Sequence, residues 1–308
     1  MQLKHVVESQ QFSLPMLREL FERAGEMERI IKRGGTQDYH NKIMATLFYE
    51  PSTRTRFSFE SAMYRLGGKV ITTERAAEFS SVSYGETLED TIRVVDDYAD
   101  VIVLRHNEVG GSKRAAAIST SHIINAGDGK GGQHPTQALL DLYTIQKGVH
   151  KLDGLKVAMV GNLTDGRTVR SLTYLLGKYD RIKLYFVAPP GNQMRQDMLN
   201  HLTENRVWYT VESDLAKVLP EVDVVYVTHI ERDRFDGPDE KYAELARKYY
   251  FDAEMMKKLP EHAIIMHPLP RKGEISPQID ADPRAAYFKQ TQNGVLIRMA
   301  LLSWVMEA

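Results

Sequence analysis

The segment IMATLFYEPSTRTRFSFESAM, residues 43–63, holds the pattern from which the fold can be worked outward. Its first part, residues 43–49, is a short apolar run of the kind that forms a buried strand. The next residues, 50–56, are polar, and Phe59 and Met63 then recur at helical spacing. The segment therefore predicts a strand, a polar loop and a helix in succession.

The same alternation continues along the chain in both directions. Upstream, residues 13–31 show the cap, first-turn proline and apolar spacing of an amphipathic helix. Downstream, short apolar runs alternate with helical patterns; these runs are residues 70–72, 101–104, 122–125, 155–160, 184–187, 207–211, 222–227 and 263–266. Strands that alternate with helices indicate parallel sheets covered on both faces, so we expect an α/β fold.

Length and composition divide the chain into two domains. The 308 residues exceed what one hydrophobic core usually organises. A polar stretch that follows residue 146 reads as a linker, so we place the first domain at residues 1–146 and the second at residues 152–284. The last residues, 285–308, are expected to form a helix that packs back on the first domain, with an interruption near its start at Asn293-Gly294.

Composition argues against several classes of function. Forty Lys and Arg residues against 41 Asp and Glu residues give a net charge of −1, so no global basic field exists to attract nucleic acid or anionic lipid. The chain has no cysteine, which removes disulfides and Cys-based metal sites and fits a reducing cytoplasm. No apolar run approaches the roughly 18 residues that cross a bilayer. We therefore expect a cytoplasmic protein without a nucleic acid or membrane partner.

The polar loop after the first strand is rich in donors for phosphate oxygens. In an open parallel sheet, ligands bind beyond the carboxyl ends of the strands, where loops run into helix N-termini. At this place the chain has three hydroxyls and two guanidiniums, from Ser52, Thr53, Arg54, Thr55 and Arg56. A single Ser-Thr-Arg sequence is more often a solvated helix cap, but this density of donors favours a phosphate site.

Two further motifs follow strands or precede helices at the same edge of the first sheet. Arg105-His106 follows the strand at residues 101–104, and Gln-His-Pro-Thr-Gln at residues 133–137 precedes a long helix. A lone histidine in a loop is most often structural. The agreement in position of three such loops is what predicts a binding site.

The second domain has two loops of the same kind. Residues 161–168 lie between a strand and a helix, as a dinucleotide loop does, but the glycine fingerprint is missing. Arg167 stands where a pyrophosphate-binding turn requires glycine, so we interpret it as a carboxylate clamp and disfavour a nicotinamide oxidoreductase. In the other loop, residues 267–271, prolines fix backbone carbonyls toward a ligand, although alone this loop reads as a rigid turn.

Together these motifs resemble the aspartate and ornithine carbamoyltransferase superfamily, and the resemblance covers nearly the whole chain. The motifs that carry it are FYEPSTRTR at 48–56, RH at 105–106, NAGDG at 125–129, QHPTQ at 133–137, GRT at 166–168 and HPLP at 267–270. The ornithine branch usually has a His-Cys-Leu-Pro loop and a Ser-Met-Gly loop. This chain has neither, so it resembles the aspartate branch.

The resemblance implies transfer of the carbamoyl group of carbamoyl phosphate to the amine of an amino acid, without a metal or organic cofactor. It implies an active site in the cleft between the domains and at the interface of a homotrimer, into which a neighbouring subunit inserts residues 80–85. Arg54 would neutralise the phosphate, and Thr55, Arg105 and His134 would polarise the carbamoyl carbonyl. The full carbamoyl phosphate set is Ser52, Thr53, Arg54, Thr55, Arg105, His134, Gln137, Pro268 and Leu269.

The acceptor site that the resemblance implies departs from the usual pattern of the aspartate enzymes. The residues assigned to the acceptor are Ser80, Tyr84, Arg167, His229 and Glu231, and those assigned to domain closure are Glu50 and Arg234. Tyr84, His229 and Glu231 stand where the usual residues are Lys, Arg and Gln. Removing one partner of a buried charge pair commonly costs about 2–5 kcal/mol, so these changes weaken the expected aspartate site.

Three interpretations of the acceptor stay open from the sequence. Nearby cations could substitute for the missing ones and keep aspartate as the acceptor; the candidates are Lys130, His229, Arg232 and Arg234. Alternatively, Glu231 pairs with an ammonium, and the acceptor is an amino acid with a neutral or cationic side chain. A third interpretation is a non-catalytic paralogue that binds carbamoyl phosphate.

Overall fold

The computed structural model describes residues 2–74, 76, 85–230, 232 and 237–307. The chain divides into two compact units: unit 1 is Met1–Leu140 with Gln292–Ala308, and unit 2 is Asp141–Thr291. The division falls between Leu140 and Asp141, inside a helix, whereas the linker proposed from sequence follows that helix. The buried Asp141 side chain hydrogen-bonds residues of unit 2, which is why the second half of the helix belongs there.

Unit 1 is built from alternating strands and helices. Its described helices are α1 (Leu14–Lys32), α2 (Thr53–Arg65), α3 (Leu88–Asp96) and α4 (Gly111–Ile118), with the first part of α5 (Pro135–Val149) and most of the terminal helix (Tyr287–Met306). Its strands are β1 (Ile43–Phe48), β2 (Lys69–Glu74), β3 (Val101–Arg105) and β4 (His122–Asn125). The Ser13 hydroxyl caps α1, and the Thr87 hydroxyl caps α3, as the sequence chemistry favours.

The strands of unit 1 form a parallel sheet in the order β2-β1-β3-β4. The strands β1 and β3 lie in the middle and are almost completely buried, whereas β2 lies at an edge and is largely exposed. A buried central strand reads as a continuous apolar run, which explains why β1 and β3 could be predicted from sequence.

Unit 2 repeats this architecture. Its described helices are the rest of α5, α6 (Arg167–Leu176), α7 (Gln196–Glu204), α8 (Leu215–Val218), α9 (Asp239–Arg247), α10 (Ala253–Met256) and the start of α11 (Tyr287–Met306). Its strands are β5 (Lys156–Val160), β6 (Lys183–Val187), β7 (Trp208–Glu212), β8 (Val224–Val227) and β9 (Ile264–Met266).

The second sheet is also parallel, in the order β7-β6-β5-β8-β9. The chain moves outward from β5 to β7 and then returns to β8 on the other side of β5. Ligands of open parallel sheets bind at such a reversal of strand order. The predicted α/β fold with two parallel, helix-flanked sheets is confirmed.

The terminal helix α11 is continuous, so the interruption expected at Asn293-Gly294 was wrong. Glycine is placed there because a β-carbon would lie 2.7 Å from Nη1 of Arg298 and 3.2 Å from a methyl group of Leu140. The buried Arg298 side chain also donates to Ser58 Oγ at 2.8 Å and lies over the Phe59 ring. Close packing, rather than a turn, explains the glycine.

Candidate functional site

The first candidate site lies at the carboxyl edge of the unit 1 sheet. In the register between β1 and β3, Phe48 is opposite Arg105. The N–H group of Tyr49 donates to the carbonyl oxygen of Arg105 at 2.9 Å. The end of β1, where the polar loop begins, therefore lies beside Arg105 at the end of β3, as predicted from sequence.

The loop leads directly into helix α2, whose first turn begins at Thr53. The residue before it, Ser52, makes no side-chain capping hydrogen bond, and its own N–H group donates to Glu74 Oε1 at 3.4 Å. The first N–H groups of a helix have no partner within the helix and attract anions. With the hydroxyl-bearing Thr53 exposed and Thr55 buried in the same turn, this helix end suits a phosphate.

The two arginines of this turn differ in their surroundings. Arg56 forms ion pairs with Glu74 at 3.2 Å and with Glu60 at 3.8 Å, so its charge is balanced within unit 1. Arg54 has an exposed side chain, and no carboxylate in the described part of the chain pairs with it. Partial desolvation of the guanidinium lowers the pKa of Arg54, although a guanidinium stays protonated. Arg54 is therefore the cation that can accept an anionic ligand.

Arg105 is held in a defined orientation at the end of β3. Its Nη2 atom lies 3.2 Å from Oε2 of Glu50, and its Nη1 atom donates to the carbonyl oxygen of Ala126 at 3.2 Å. The residue is only 9% exposed. Two acceptors on different loops fix the plane of a guanidinium, which suits directed hydrogen bonds to a ligand.

His134 caps the start of α5 with its backbone and is buried. Its carbonyl oxygen accepts from the N–H groups of Gln137 at 3.1 Å and Ala138 at 3.2 Å, and its Nδ1 atom lies 3.4 Å from the Thr136 hydroxyl. Gln133, in the same motif, is structural: its side chain bonds to the N-terminal segment, through the N–H of Ser9. The motif therefore combines a structural residue with candidate ligand residues.

The NAGDG motif at 125–129 also has a structural explanation. Asp128 accepts from the Ser112 hydroxyl at 2.8 Å and from the N–H of Gly110 at 3.2 Å, so it anchors the start of α4. Burial raises the pKa of Asp128 more than these hydrogen bonds lower it. Gly129 leaves room for a neighbouring loop, because a β-carbon there would lie 2.2 Å from the carbonyl oxygen of Asn107.

In unit 2, Arg167 begins helix α6 at the carboxyl edge of the second sheet. The loop before it is shaped by Asn162, whose Oδ1 atom accepts from the N–H groups of Thr164 at 3.2 Å and Asp165 at 3.4 Å. The N–H group of Asn162 donates to the carbonyl oxygen of His229 at 3.2 Å. The loops that carry Arg167 and His229 are thus neighbours, which follows from the pairing of β5 with β8.

Four of the residues assigned from sequence lie outside the described residues: Ser80, Tyr84, Glu231 and Arg234. Of the cations suggested as substitutes, Arg232 pairs with Asp239 at 2.7 Å and donates to the carbonyl oxygen of Gly237 at 2.8 Å. These bonds already occupy part of the Arg232 guanidinium.

The loop that carries Pro268 and Leu269 follows β9. Leu269 has a left-handed backbone with φ of 57°, and its N–H group donates to Nδ1 of His267 at 2.8 Å. His267 is buried, and its Nε2 atom lies 2.6 Å from Oε1 of Glu274. Sequence reasoning identified the HPLP motif but missed the role of Glu274, which no local pattern marks.

In the described part of the chain, no group of three or more histidine or acidic side chains is arranged to hold a metal ion. No described helix combines the length and apolar character that a membrane span requires.

The two parallel sheets, each with cationic side chains at its carboxyl edge, define a two-domain α/β protein with candidate sites for anionic ligands. The sequence profile of the aspartate/ornithine carbamoyltransferase carbamoyl-P binding domain matches residues 4–147, and that of the Asp/Orn binding domain matches residues 153–305. The chain belongs to the aspartate/ornithine carbamoyltransferase family.

Individual relatives cover nearly the whole chain. Aspartate carbamoyltransferase 1 of Pisum sativum, a chloroplastic protein, is 55% identical over 98% of this chain and 78% of its own length. The catalytic subunit of M. jannaschii aspartate transcarbamoylase has a TM-score of 0.93 and 42% identity, with 99% of this chain and 98% of that chain covered. Aspartate transcarbamoylase of Trypanosoma cruzi, solved with carbamoyl phosphate and aspartate, has a TM-score of 0.91 and 39% identity, with 99% and 95% covered.

Proposed function

We propose that this chain transfers the carbamoyl group of carbamoyl phosphate to L-aspartate, which yields N-carbamoyl-L-aspartate and phosphate for pyrimidine biosynthesis. The observation that carries the proposal is the Arg54 guanidinium at the start of α2, with which no described carboxylate pairs, on the loop that leaves β1 next to Arg105 at the end of β3. The relatives at 39–55% identity, which are aspartate carbamoyltransferases, support aspartate rather than a different acceptor.

In the proposed reaction, the amine nitrogen attacks the carbamoyl carbon and negative charge grows on the carbonyl oxygen. Thr55, Arg105 and His134 donate hydrogen bonds to that oxygen, and one such preorganised donor is typically worth about 3–4 kcal/mol in the transition state. The bond from carbon to the phosphate oxygen then breaks, its electron pair leaves with phosphate, and the amine nitrogen passes a proton to the departing phosphate. Arg54, with Ser52, Thr53 and the first N–H groups of α2, neutralises the departing phosphate.

The remaining roles are proposals from the family pattern. Gln137 and the backbone carbonyls of Pro268 and Leu269 orient the carbamoyl nitrogen, and Arg167 binds the α-carboxylate of aspartate. The rest of the acceptor set is Ser80, Tyr84, His229 and Glu231, and the closure set is Glu50 and Arg234. Tyr84 and His229 stand where the family usually has Lys and Arg. We therefore expect aspartate to bind through substitute contacts in this pocket.

The experiment that tests the proposed function is phosphate release from carbamoyl phosphate by the purified protein. Aspartate is compared with asparagine, 2,3-diaminopropionate, ornithine and a control without acceptor, and the product is identified by mass spectrometry. We expect release that depends on aspartate, with N-carbamoyl-L-aspartate as the product. Release with another amine alone overturns the choice of acceptor, and binding of carbamoyl phosphate without any release overturns the assignment as an enzyme.

We also propose that the chain assembles as a homotrimer. Unit 1 exposes apolar side chains on α2 and the edge strand β2, namely Phe57, Tyr64 and Ile71. A groove of about 480 Å³ lies along the same face of α2. Apolar exposure of this kind supports an interface with another subunit. Light scattering on the purified protein tests this: a mass of three chains is expected, and a monomer at assay concentration overturns it.

A cytoplasmic location is proposed on the absence of cysteine from the chain. The pea relative is chloroplastic, so the location needs a direct test. Fractionation of the source cells, with detection of the native protein, is expected to recover it with cytoplasmic markers. Recovery with an organelle fraction overturns this proposal.

A further inference from the structure

Unit 2 contains a buried chain of hydrogen bonds centred on Asp141, a residue of α5. The Tyr226 hydroxyl donates to Oδ2 of Asp141 at 2.7 Å, and Nε2 of Gln290 donates to Oδ1 at 2.8 Å. Asp141 and Tyr226 are fully buried, and Gln290 is 2% exposed. A buried carboxylate is costly unless it is hydrogen-bonded, and here each oxygen atom of Asp141 accepts a hydrogen bond.

One arm of the chain runs from Asp141 to the HPLP loop. Oε1 of Gln290 accepts from the backbone N–H of His267 at 2.8 Å. The His267 ring accepts from the N–H of Leu269 through Nδ1, so its proton is on Nε2, which faces Glu274 at 2.6 Å. The path from Asp141 to Leu269 therefore consists of three direct hydrogen bonds between buried or half-buried groups, joined covalently through Gln290 and His267.

The other arm runs from Asp141 to the turn that carries Arg167. The Tyr226 hydroxyl, which donates to Asp141, also has a hydrogen bond with the side chain of Thr168. Thr168 is the neighbour of Arg167 in the first turn of α6. Asp141 thus connects, within unit 2, two loops that the proposed function assigns to different parts of the substrate complex.

An ionised carboxylate can only accept hydrogen bonds, so Asp141 fixes which group is the donor and which is the acceptor along both arms. Gln290 must turn its NH₂ group toward Asp141, which leaves its oxygen for the N–H of His267. Tyr226 must donate to Asp141, which leaves its oxygen lone pairs for Thr168. Hydrogen bonds in such networks depend on one another, and a partly satisfied buried network is costly.

We propose that Asp141 is a positioning residue for the transfer reaction, acting through Gln290 and His267 on the Leu269 backbone and through Tyr226 on the Arg167 turn. This inference rests on the proposed function. Asp141 does not itself touch the reacting atoms in this proposal. Its effect on the reaction comes from the placement of two loops at once.

The test is Asp141→Asn, which keeps the size of the side chain and removes one acceptor. If the new amide oxygen faces Gln290, the NH₂ group of the same Asn side chain faces the Tyr226 hydroxyl. The hydroxyl then has no acceptor at this position. If the oxygen faces Tyr226, Gln290 must flip and present its NH₂ group to the N–H of His267. Either arrangement disturbs one loop, and an unmet buried donor costs about 1–3 kcal/mol.

We expect kcat/KM for aspartate to fall about tenfold to a hundredfold in Asp141→Asn, since each 1.4 kcal/mol is a factor of ten. The matched control is Asp223→Asn, which also changes a buried carboxylate of unit 2; Asp223 lies just before β8, pairs with Lys151 and accepts from the backbone N–H of Lys156. We expect that control to lower the melting temperature while kcat/KM per folded protein stays within twofold.

The outcomes separate this inference from the proposed function. A wild-type protein without aspartate-dependent release overturns both, whereas an active wild type with unchanged kinetics in Asp141→Asn overturns the positioning role alone. If Asp141→Asn does not fold, the same kinetics on Tyr226→Phe decide, because that change removes only the hydroxyl between Asp141 and Thr168. A fall of about tenfold supports the role, and unchanged kinetics overturn it.

Discussion

Glu50 and Arg105 form an ion pair at the carboxyl edge of the first sheet, with 3.2 Å between Oε2 and Nη2. The second terminal nitrogen of Arg105 is held by the carbonyl oxygen of Ala126. The pair connects the loop after β1 to the end of β3. It presents an arginine of fixed orientation where the proposed carbonyl oxygen needs a donor.

Replacing Arg105 by lysine tests whether this orientation matters. Lysine keeps the positive charge but cannot reach Glu50 and Ala126 with a planar fork. We expect kcat to fall about a hundredfold, within the range for loss of one preorganised donor, with the circular dichroism spectrum unchanged. The control is Arg114→Lys, since Arg114 also bridges two carboxylates of unit 1, Glu89 and Glu108. Equal losses in both variants would count against a role of Arg105 in catalysis.

Replacing Arg54 by alanine removes from the start of α2 a cation with which no described carboxylate pairs. We expect turnover with every acceptor to fall at least a hundredfold, because charge-assisted bonds to phosphate are lost. The melting temperature should stay within about 2 °C, since no described carboxylate loses a partner and exposed substitutions have small effects. Arg93→Ala, on an exposed face of α3, serves as the control. Activity of the Arg54 variant near the wild-type level would refute the placement of the phosphate site.

The acceptor pocket can be moved toward the usual family pattern by Tyr84→Lys with His229→Arg and Glu231→Gln. These changes restore two cations and remove an acid near the proposed side-chain carboxylate of aspartate. We expect KM for aspartate to fall about tenfold, the effect of about 1.4 kcal/mol of added binding. Steady-state kinetics at saturating carbamoyl phosphate measure it. Unchanged kinetics for aspartate would show that these residues do not line the pocket.

His5 should make the stability of unit 1 depend on pH. Burial, assisted by Lys4 and His122, lowers the pKa of His5 from 6.5 to about 4. The unfolded chain therefore binds more protons in this range, and the contribution of His5 is complete above pH 6.5 and lost as pH falls toward 4. The neutral ring is needed because Nδ1 accepts from the N–H of Ile123 at 3.1 Å.

The corresponding test is urea unfolding of wild type and His5→Asn between pH 7 and pH 4. The Asn side chain offers an acceptor that does not titrate, so we expect the loss of stability over this range to shrink by about 1 kcal/mol after allowance for solvent screening. His40→Asn, at an exposed histidine, is the control. A pH dependence identical in all three proteins would exclude His5 as its source.

Substitutions at two glycines of unit 2 distinguish the effect of backbone strain from that of steric contact. Gly154 and Gly161 both have positive φ, of 70° and 108°, but only Gly161 is crowded: a β-carbon there would lie 2.1 Å from the carbonyl oxygen of Thr228. We expect Gly154→Ala to cost about 1 kcal/mol. Gly161→Ala should cost at least about 3 kcal/mol and raise KM for aspartate, because it pushes away the segment before His229. If denaturant unfolding gives similar losses of stability for the two variants, backbone strain alone explains both losses.

Much of the fold follows from local pattern. Buried parallel strands such as β1 and β3 read as apolar runs, and caps such as Ser13 and Thr87 mark helix starts. The carboxyl ends of parallel strands meet at one edge, so the neighbouring positions of the loop after β1 and of Arg105 at the end of β3 could also be predicted from sequence. These features depend on neighbouring residues or on a general rule of sheet geometry.

Other features were decided only by tertiary structure. Sequence reasoning counted Arg56 among the phosphate donors, but Glu60 and Glu74 bind it, and this depends on β2 lying beside β1. The glycine at position 294 within the continuous helix α11 is matched to close packing against Leu140, a residue far away in the chain, so the local Asn-Gly pair could not reveal it.

The amino-acid sequence by itself determined the two parallel sheets and the side chains at their carboxyl edges, because periodicity and strand-end chemistry are local. The hydrogen-bond network around Asp141 was decided by the tertiary structure alone. Its partners Tyr226 and Gln290 are 85 and 149 residues away in the chain. No local pattern specifies such pairs, because the direction of each hydrogen bond is set by which donors the packed helices and strands bring to the same buried carboxylate.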